Sequence, residues 1–159
     1  PAAKEISQHL RQPRGQHRLL AATRDSAVAP GPHFAPDPDY RESWPVHCVA
    51  GPPGAELNPD LDRDAIDEVF DKGRDTAAYS GFEARSPDGT LLGARLKEAG
   101  VEELDVAGIA TDYCVRATVL DARRSGFKVR LLRQLTAGVA PETTQAALRE
   151  MEDVGASTD

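Results

Sequence analysis

The sequence predicts an α/β protein in three layers (α/β/α), in which helices cover both faces of a mostly parallel sheet. Short apolar segments typical of strands alternate with segments whose apolar residues recur at helical spacing, and this order is typical of parallel sheets with helical crossovers. The chain has 159 residues, which is the size of one ordinary domain and enough to bury a core. We therefore expect residues 1–159 to form a single domain.

The first half of the chain predicts one helix and two strands, separated by a long connection. Ile6 and Leu10 lie four residues apart, as on one face of a helix. Pro13 and Gly15 are expected to end that helix. The segments that follow are a buried strand over 18–23, a turn of helix over 64–68 and a short strand over 69–70.

The second half alternates helix and strand more regularly. Thr90 is expected to cap a helix that ends at Gly100, and Gly126 is expected to end a later helix. Pro141 suits the first turn of the last helix. The predicted elements are a helix over 90–100, a strand over 104–109, a helix over 115–122, a strand over 127–132 and a helix from residue 141.

A proline-rich segment interrupts this alternation. Eight of the twelve prolines lie between Pro30 and Pro59, and Phe34, Tyr40 and Trp44 lie among them. A connection of this length without helical or strand periodicity is usually functional or disordered. The aromatic residues favour order, and we expect an ordered binding loop.

The composition excludes several classes of function. Nineteen basic residues against twenty-six acidic ones give a net charge of −7, which argues against binding to nucleic acid or to an anionic membrane surface. No apolar run is long enough to span a bilayer. Two cysteines form no disulfide framework, so we expect reduced thiols and a cytoplasmic location.

Ligands of parallel α/β sheets bind beyond the carboxyl ends of the strands, where the sequence places Asp25, Lys72 and the segment 111–114. Cys114 opens a helix directly after a strand, and a helix N-terminus favours the thiolate. The free N–H groups there are also suited to hold an oxyanion. Cys114 is therefore a candidate nucleophile, and the alternative is a small buried apolar residue. Cys48 has no such placement and is expected to be a packing residue.

The loop and the first strand end supply candidate metal ligands. Asp25, His33 and His47 form a mixed oxygen and nitrogen set, which suits Zn, Fe or Mn. No short metal motif has their spacing. The alternative is a pair of solvated loop histidines and an aspartate that caps a helix.

Two further groups could complete a site. Lys72 would lower the pKa of the Cys114 thiol if the two meet, and is otherwise a solvated charge. Trp44, Tyr79 and Tyr113 are candidate walls of a small pocket for an aromatic substrate, or ordinary anchors of their loops.

Three segments carry a family resemblance: YRESWPVHCV over 40–49, GRDTAAYSGF over 73–82 and GIATDYCV over 108–115. With these segments, the chain resembles the nicotinamidase/pyrazinamidase family of isochorismatase-like cysteine hydrolases, whose fold is Rossmann-like. The patterns WP-x-HC and GIATD-x-CV in this order are highly specific. The similarity runs from about Ile6 to Gly155, which is nearly the whole chain.

The resemblance implies a hydrolase that converts nicotinamide, and also pyrazinamide, to the acid and ammonia. In the family a cysteine thiolate, at a position that matches Cys114, attacks the carboxamide carbon, and water then hydrolyses the thioester. The N–H groups of Ala110 and Cys114 match those that hold the oxyanion, and Ile109–Ala110 matches a cis peptide bond. Lys72 matches a lysine near the thiol.

The resemblance also implies a divalent metal ion that binds the pyridine nitrogen and orients the substrate. The metal ligands of the family match Asp25, His33 and His47. The substrate-binding positions match Trp44, Tyr79 and Tyr113. The expected partners are small planar pyridine or pyrazine carboxamides.

Two departures from the family pattern bear on activity. The Asp-x-His metal motif reads Asp25-Ser26-Ala27 here, so one ligand is lost and we expect weaker metal binding. The family also begins with a central strand ending in an aspartate that takes the thiol proton, and no residue here matches it. Because the chain begins at Pro1 rather than methionine, we expect it to be N-terminally incomplete. Without the aspartate and with Ala27 in the metal motif we expect low activity, and without the strand we expect unpaired backbone groups where it belongs.

Two alternatives remain open from the sequence. One is an isochorismatase-like amidohydrolase that acts on a different small amide. The other is a non-catalytic relative that keeps the fold as a binding module, which both departures favour. The pattern WP-x-HC favours the nicotinamidase branch.

Overall fold

Strands and helices alternate along the chain as the sequence predicts. The structure is a computed structural model that describes residues 2–11 and 17–159. The helices in these residues are α1 (Ala2–Leu10), α2 (Leu92–Glu98), α3 (Arg116–Arg124) and α4 (Pro141–Asp153). The strands are β1 (Ala21–Asp25), β2 (Glu68–Lys72), β3 (Glu103–Ile109), β4 (Lys128–Ala137) and β5 (Ser157–Thr158). The strand pairs in these ranges are parallel, which confirms the α/β class.

Pairing between strands moves several boundaries away from their predicted positions. β1 begins at Ala21 rather than at residue 18, and it ends at Asp25, opposite the end of β2. β4 continues to Ala137 because its second half pairs with the end of β3 beyond an irregularity in the register. β5 is not predicted, since a strand of two residues carries no periodicity.

One predicted helix boundary is wrong, and another falls outside the described residues. Thr90 does not cap α2, because the cap position is Leu91, whose side chain makes no capping hydrogen bond. Thr90 belongs to the preceding turn, where its N–H donates to Oδ1 of Asp88 at 3.0 Å. The predicted end of the first helix, Pro13 and Gly15, lies outside the described residues.

The strands of the described ranges form two parallel sheets rather than the single sheet predicted. β1 pairs with β2 in one sheet, and β3, β4 and β5 pair in that order in the other. Within these ranges β1, β2, β3 and β5 are therefore edge strands. Each presents one side to no other strand of residues 2–11 and 17–159.

The apolar core joins β2 and β4 to the helices of the second half. Phe70, Val119, Leu131 and Met151 are fully buried and come from β2, α3, β4 and α4 in turn. This packing fixes the end of β2 and the starts of α3 and α4, where the candidate site lies. None of the helices that the structure describes is long and apolar enough to cross a membrane.

The proline-rich loop is ordered by pairing of its own backbone. Isolated parallel bridges join Ala27 to Val49 and Phe34 to Trp44. The N–H of Trp44 also donates to the carbonyl oxygen of His33 at 2.8 Å. The loop therefore doubles back immediately after β1, and its histidines and its tryptophan come close together although they are distant in sequence.

Candidate active site

The parallel register of β1 and β2 places two charged side chains at the end of the first sheet. Asp25 lies opposite Lys72, and Lys72 is only 5% exposed. The lysine Nζ donates to Oδ1 of Asp25 at 2.5 Å and to the carbonyl oxygen of Ala78 at 3.0 Å. The same Nζ lies 3.5 Å from Sγ of Cys114. The structure thus brings together three residues that the sequence places at three different strand ends.

Cys114 lies in a π-helical turn, Thr111–Val115, which connects β3 to α3 and which we call the cysteine turn. The N–H groups of Tyr113 and Val115 both donate to the carbonyl oxygen of Ala110, at 3.1 and 3.0 Å. Single π-helical turns of this kind occur frequently at functional sites. The geometry directs the cysteine side chain back toward the end of β2, where Lys72 lies.

Ala110 immediately precedes the cysteine turn. The peptide bond Ile109–Ala110 is cis, as the resemblance implies. The backbone N–H of Ala110 forms a hydrogen bond to the thiol of Cys114, and this bond lowers the thiol pKa. The N–H of Ala110 is therefore a hydrogen-bond donor next to the thiol.

The charges around the thiol oppose each other. Burial raises the pKa of the Cys114 thiol above its ordinary value, while Lys72 acts in the opposite direction and Asp25 adds to the increase. The effect of Lys72 has the sign that the sequence predicts, but it is outweighed by burial. Burial also lowers the pKa of Lys72, yet its attraction to Cys114 and Asp25 is stronger, so this pKa is raised. At rest a charged lysine lies beside a protonated thiol, and attack requires a group that accepts the thiol proton.

His33 and His47 lie side by side in the proline-rich loop. Their ring centroids are 5.4 Å apart in an edge-on arrangement. Nδ1 of His33 is buried and has no hydrogen-bond partner among the described residues. Burial lowers the pKa of His33 most, and the charge on His47 lowers it further. The His33 ring is therefore neutral at neutral pH, which is the form that binds metals.

The three expected metal ligands do not converge on one point. Residues 2–11 and 17–159 contain no group of three or more His, Cys, Asp or Glu side chains arranged to hold a metal ion. Asp25 instead accepts a hydrogen bond from Lys72. Ala27 is buried, and its methyl side chain has no atom that could bind a metal. The unpartnered nitrogen of His33 beside a second imidazole nevertheless suits a divalent ion in donor chemistry. The two imidazoles therefore suit a metal in donor chemistry, while the carboxylate of Asp25 is engaged by Lys72.

Three aromatic side chains form a continuous wall between the histidines and the cysteine turn. The indole N–H of Trp44 donates to the hydroxyl of Tyr79 at 3.2 Å. The ring of Tyr113 lies 5.2 Å from that of Trp44 and 5.5 Å from that of Tyr79. The ring of His33 lies 5.9 Å from Tyr79, at the other end of the wall. Because Tyr113 belongs to the cysteine turn, the wall extends from the imidazoles to that turn.

The sequence analysis missed two side chains that hold the cysteine turn. Oγ1 of Thr118 donates to the carbonyl oxygen of Cys114 at 2.6 Å and accepts from the N–H of Gly81 at 2.8 Å. The spacing of four residues was a usable signal, because a helical threonine often bonds to the carbonyl four residues earlier. Asp112 accepts hydrogen bonds from the start of α4, and such a long-range contact leaves no local pattern in the sequence.

The site combines a buried lysine, a cysteine and a wall of aromatic side chains at the carboxyl ends of parallel strands. This combination defines a class of α/β proteins equipped for chemistry at a thiol. Residues 5–158 match the family model described as the isochorismatase domain. The chain therefore belongs to the isochorismatase family.

Similar proteins narrow the comparison further. The chain is 52% identical to the nicotinamidase/pyrazinamidase of Mycobacterium tuberculosis over 94% of this chain and 80% of that protein. It matches the structure of Pyrococcus horikoshii pyrazinamidase in complex with zinc at 38% identity, with a TM-score of 0.82 over 99% of this chain and 84% of that one. An L. infantum protein in complex with nicotinate matches at 31% identity, with a TM-score of 0.84 over 99% of this chain and 78% of that one. These structures confirm the isochorismatase-like fold.

The share of each relative that is matched varies. Against the Escherichia coli nicotinamidase, which is 40% identical over 72% of this chain, the chain spans 56% of the relative's length.

Proposed function

We propose that this chain is an amidohydrolase that converts nicotinamide, and also pyrazinamide, to the carboxylic acid and ammonia. The observation that carries the proposal is the position of the Cys114 thiol, 3.5 Å from Nζ of the buried Lys72, beside an aromatic wall that suits a planar ring. The similarity to nicotinamidases and to a nicotinate complex supports this substrate class.

The reaction balances as a two-step acyl transfer. The Cys114 thiol loses its proton, and the sulfur attacks the carboxamide carbon to form a tetrahedral intermediate. The C–N bond then breaks, the nitrogen takes up a proton, and ammonia departs. The acyl group remains on Cys114 as a thioester. Water attacks the thioester carbon, the C–S bond breaks, and the acid and the free thiol are released.

The remaining groups bind the substrate and stabilise the charges that develop during the reaction. The N–H groups of Ala110 and Cys114 hold the negative oxygen of the intermediates, a role that typically contributes about 10²–10³-fold to the rate per donor. Lys72 holds the thiolate by its charge. The substrate ring packs against Trp44, Tyr79 and Tyr113.

Proton transfer is the weak point of this machinery. Lys72 is charged and cannot accept the thiol proton, and the carboxylate of Asp25 is engaged by that lysine. A positioned acid–base group typically contributes about 10²–10⁴-fold. We therefore expect slow turnover by this chain, about that factor below a relative with such a group.

A divalent ion (Zn, Fe or Mn) is part of the proposal. His33 and His47 would hold it together with Asp25, and it would orient the substrate ring when bound. Zinc is the metal in the complex of the Pyrococcus horikoshii relative. The orphaned Nδ1 of His33 is the observation in this chain that supports the site.

Release of ammonia from nicotinamide tests the nucleophile. We expect a slow rate for the parent chain, the same rate for Cys48→Ala, and none for Cys114→Ala. Cys48 is the matched control because it is the other free cysteine. Equal rates for the parent and Cys114→Ala would refute the proposed mechanism.

A binding module without catalysis is the second candidate. The raised pKa of the Cys114 thiol and the loss of a metal ligand at Ala27 favour it. Saturable binding of nicotinamide, measured by calorimetry, together with no ammonia release by any variant would select this candidate. A different small amide as substrate would appear as turnover in a panel of carboxamides with none for nicotinamide.

The setting of the activity follows from the same chemistry. A nucleophilic thiol must stay reduced, and both cysteines are free, so we propose the cytoplasm as its location. We also propose that residues 1–159 act as one isochorismatase-like domain.

A further inference from the structure

Asp112 is a buried carboxylate whose hydrogen bonds cross from the cysteine turn to the start of α4. It is 7% exposed. It accepts hydrogen bonds from the N–H of Val139 at 2.9 Å and of Ala140 at 3.3 Å. It also accepts from the hydroxyl of Thr143 at 2.5 Å. The carboxylate therefore joins two elements that are 27 to 31 residues apart in sequence.

The start of α4 needs this carboxylate. The cap residue of α4 is Ala140, whose side chain makes no capping hydrogen bond. Asp112 instead accepts from the backbone N–H groups of Ala140 and of Val139 before it, and from the side chain of Thr143 in the first turn. A negative charge at a helix N-terminus is also favourable. Burial raises the pKa of Asp112, but the hydrogen bonds from Thr143, Val139 and Ala140 outweigh burial and hold the pKa below its ordinary value. Asp112 is therefore ionised at neutral pH.

The helix on the other side of this contact is firmly anchored. Ala147, Leu148 and Met151 of α4 are buried in the core. Asp112 precedes Cys114 by two residues in the same short turn. The hydrogen bond from Thr143 of α4 to Asp112 thus restrains the turn in addition to its backbone hydrogen bonds to Ala110.

We propose that Asp112 is a positioning residue for the nucleophile: by binding the cysteine turn to the start of α4, it holds Sγ of Cys114 beside Nζ of Lys72. Asp112 acts on the reaction through the backbone of the turn. The proposal rests on the proposed function in one respect, namely that Cys114 is the nucleophile.

Two kinds of variant test the contact. Asp112→Asn keeps the size of the side chain but turns one acceptor oxygen into a donor, which faces other donors at the start of α4. Thr143→Val removes only the hydroxyl of an exposed residue, and Thr143→Ser restores it. Asp121→Asn is the matched control, since Asp121 lies on α3 and bonds to Arg124.

The first measurement is independent of turnover. Alkylation of Cys114 is followed by peptide mass spectrometry with the anionic iodoacetate and the neutral iodoacetamide. The ratio of the two rates reports whether the charge of Lys72 lies beside the thiol. We expect Asp112→Asn to lower this ratio by about threefold or more, and Thr143→Val to lower it less. Thr143→Ser and Asp121→Asn should keep the parent ratio.

The second measurement is kcat against KM for ammonia release. Displacing a reacting atom by about 1 Å can cost about 10²-fold, so kcat should fall at least tenfold in Asp112→Asn while KM changes less than about twofold. Thermal unfolding monitors the fold in parallel. If Asp112→Asn does not fold, the proposal is tested by the alkylation ratio and kcat of Thr143→Val, compared with those of Thr143→Ser.

The outcomes separate the two proposals. A lower melting temperature with the parent alkylation ratio and kcat would show that Asp112 only caps α4, and would overturn the inference. An altered ratio in a protein that releases no ammonia, even as the parent, would support the positioning role and refute the amidohydrolase.

Discussion

At the scale of single residues, the pKa of the Cys114 thiol depends on its burial and on the charges of Lys72 and Asp25 beside it. Sequence position predicts that Asp25, Lys72 and Cys114 meet at one sheet edge, because parallel strands end together. It does not predict that burial outweighs the charge of Lys72 and raises the thiol pKa. That balance depends on how deeply the turn packs, which only the tertiary structure specifies.

Replacing the lysine tests this balance. In Lys72→Met the thiol loses its neighbouring positive charge and keeps the negative charge of Asp25, so the thiol pKa should rise further. An opposite charge at this range shifts a pKa by about 1–3 units, and the pH midpoint of Cys114 alkylation should move up by about that amount. The control is Lys97→Met on the exposed side of α2. An unchanged midpoint would mean that Lys72 does not act on the thiol.

The metal ligands are tested one residue at a time. Loading with Zn²⁺, dialysis and elemental analysis should show weak binding by the parent and none by His47→Ala. His9→Ala on α1 is the control and should bind as the parent does. Ala27→His should strengthen binding by at least about 10–100-fold, since a lost ligand costs no less than a lost supporting partner. Stoichiometric retention by the parent against a mild chelator would contradict the weak site.

At the scale of elements, the site is held by contacts between segments that are remote in sequence. The helices and most strands follow from apolar periodicity, and their order is as predicted. The π-helical form of the cysteine turn and the doubling back of the proline-rich loop are not visible in the sequence. The hydrogen bonds that create them depend on neighbours such as Ala110 and Trp44, whose positions follow from the fold.

One such contact joins α3 to the turn that begins after Ser80. In Thr118→Val the hydroxyl is lost, and the buried N–H of Gly81 has no acceptor. An unsatisfied buried donor costs about 1–3 kcal/mol, so the free energy of unfolding in urea should fall by about that amount. Thr118→Ser keeps the hydroxyl and should stay within about 0.5 kcal/mol of the parent. Similar losses in both variants would show that the methyl packing of Thr118 matters and the hydrogen bond does not.

At the scale of the whole molecule, a hydrogen bond joins the second sheet to the segment that precedes β1. Asp105 on β3 binds Arg130 on the neighbouring β4, with Nε to Oδ1 at 2.7 Å and Nη2 to Oδ2 at 2.5 Å. The ring of His17, which precedes β1, contacts the same carboxylate at 2.9 Å. One carboxylate therefore links three segments.

Because of this link, we expect the free energy of unfolding to depend on pH in the acid range. The hydrogen bonds from Arg130 hold the pKa of Asp105 below its ordinary value, although burial opposes them. A carboxyl group with a lower pKa in the folded state binds fewer protons there than in the unfolded chain. Its contribution is thus present above the unfolded pKa of about 3.9 and is lost as the pH falls through the folded pKa. The free energy of unfolding, measured in urea from pH 6 downward, should decrease below about pH 4 in the parent and less steeply in Asp105→Asn. Equal slopes for the two proteins would show that the Asp105 contact contributes nothing to acid stability, and the linkage would then belong to other carboxylates, with Asp112 next to be tested.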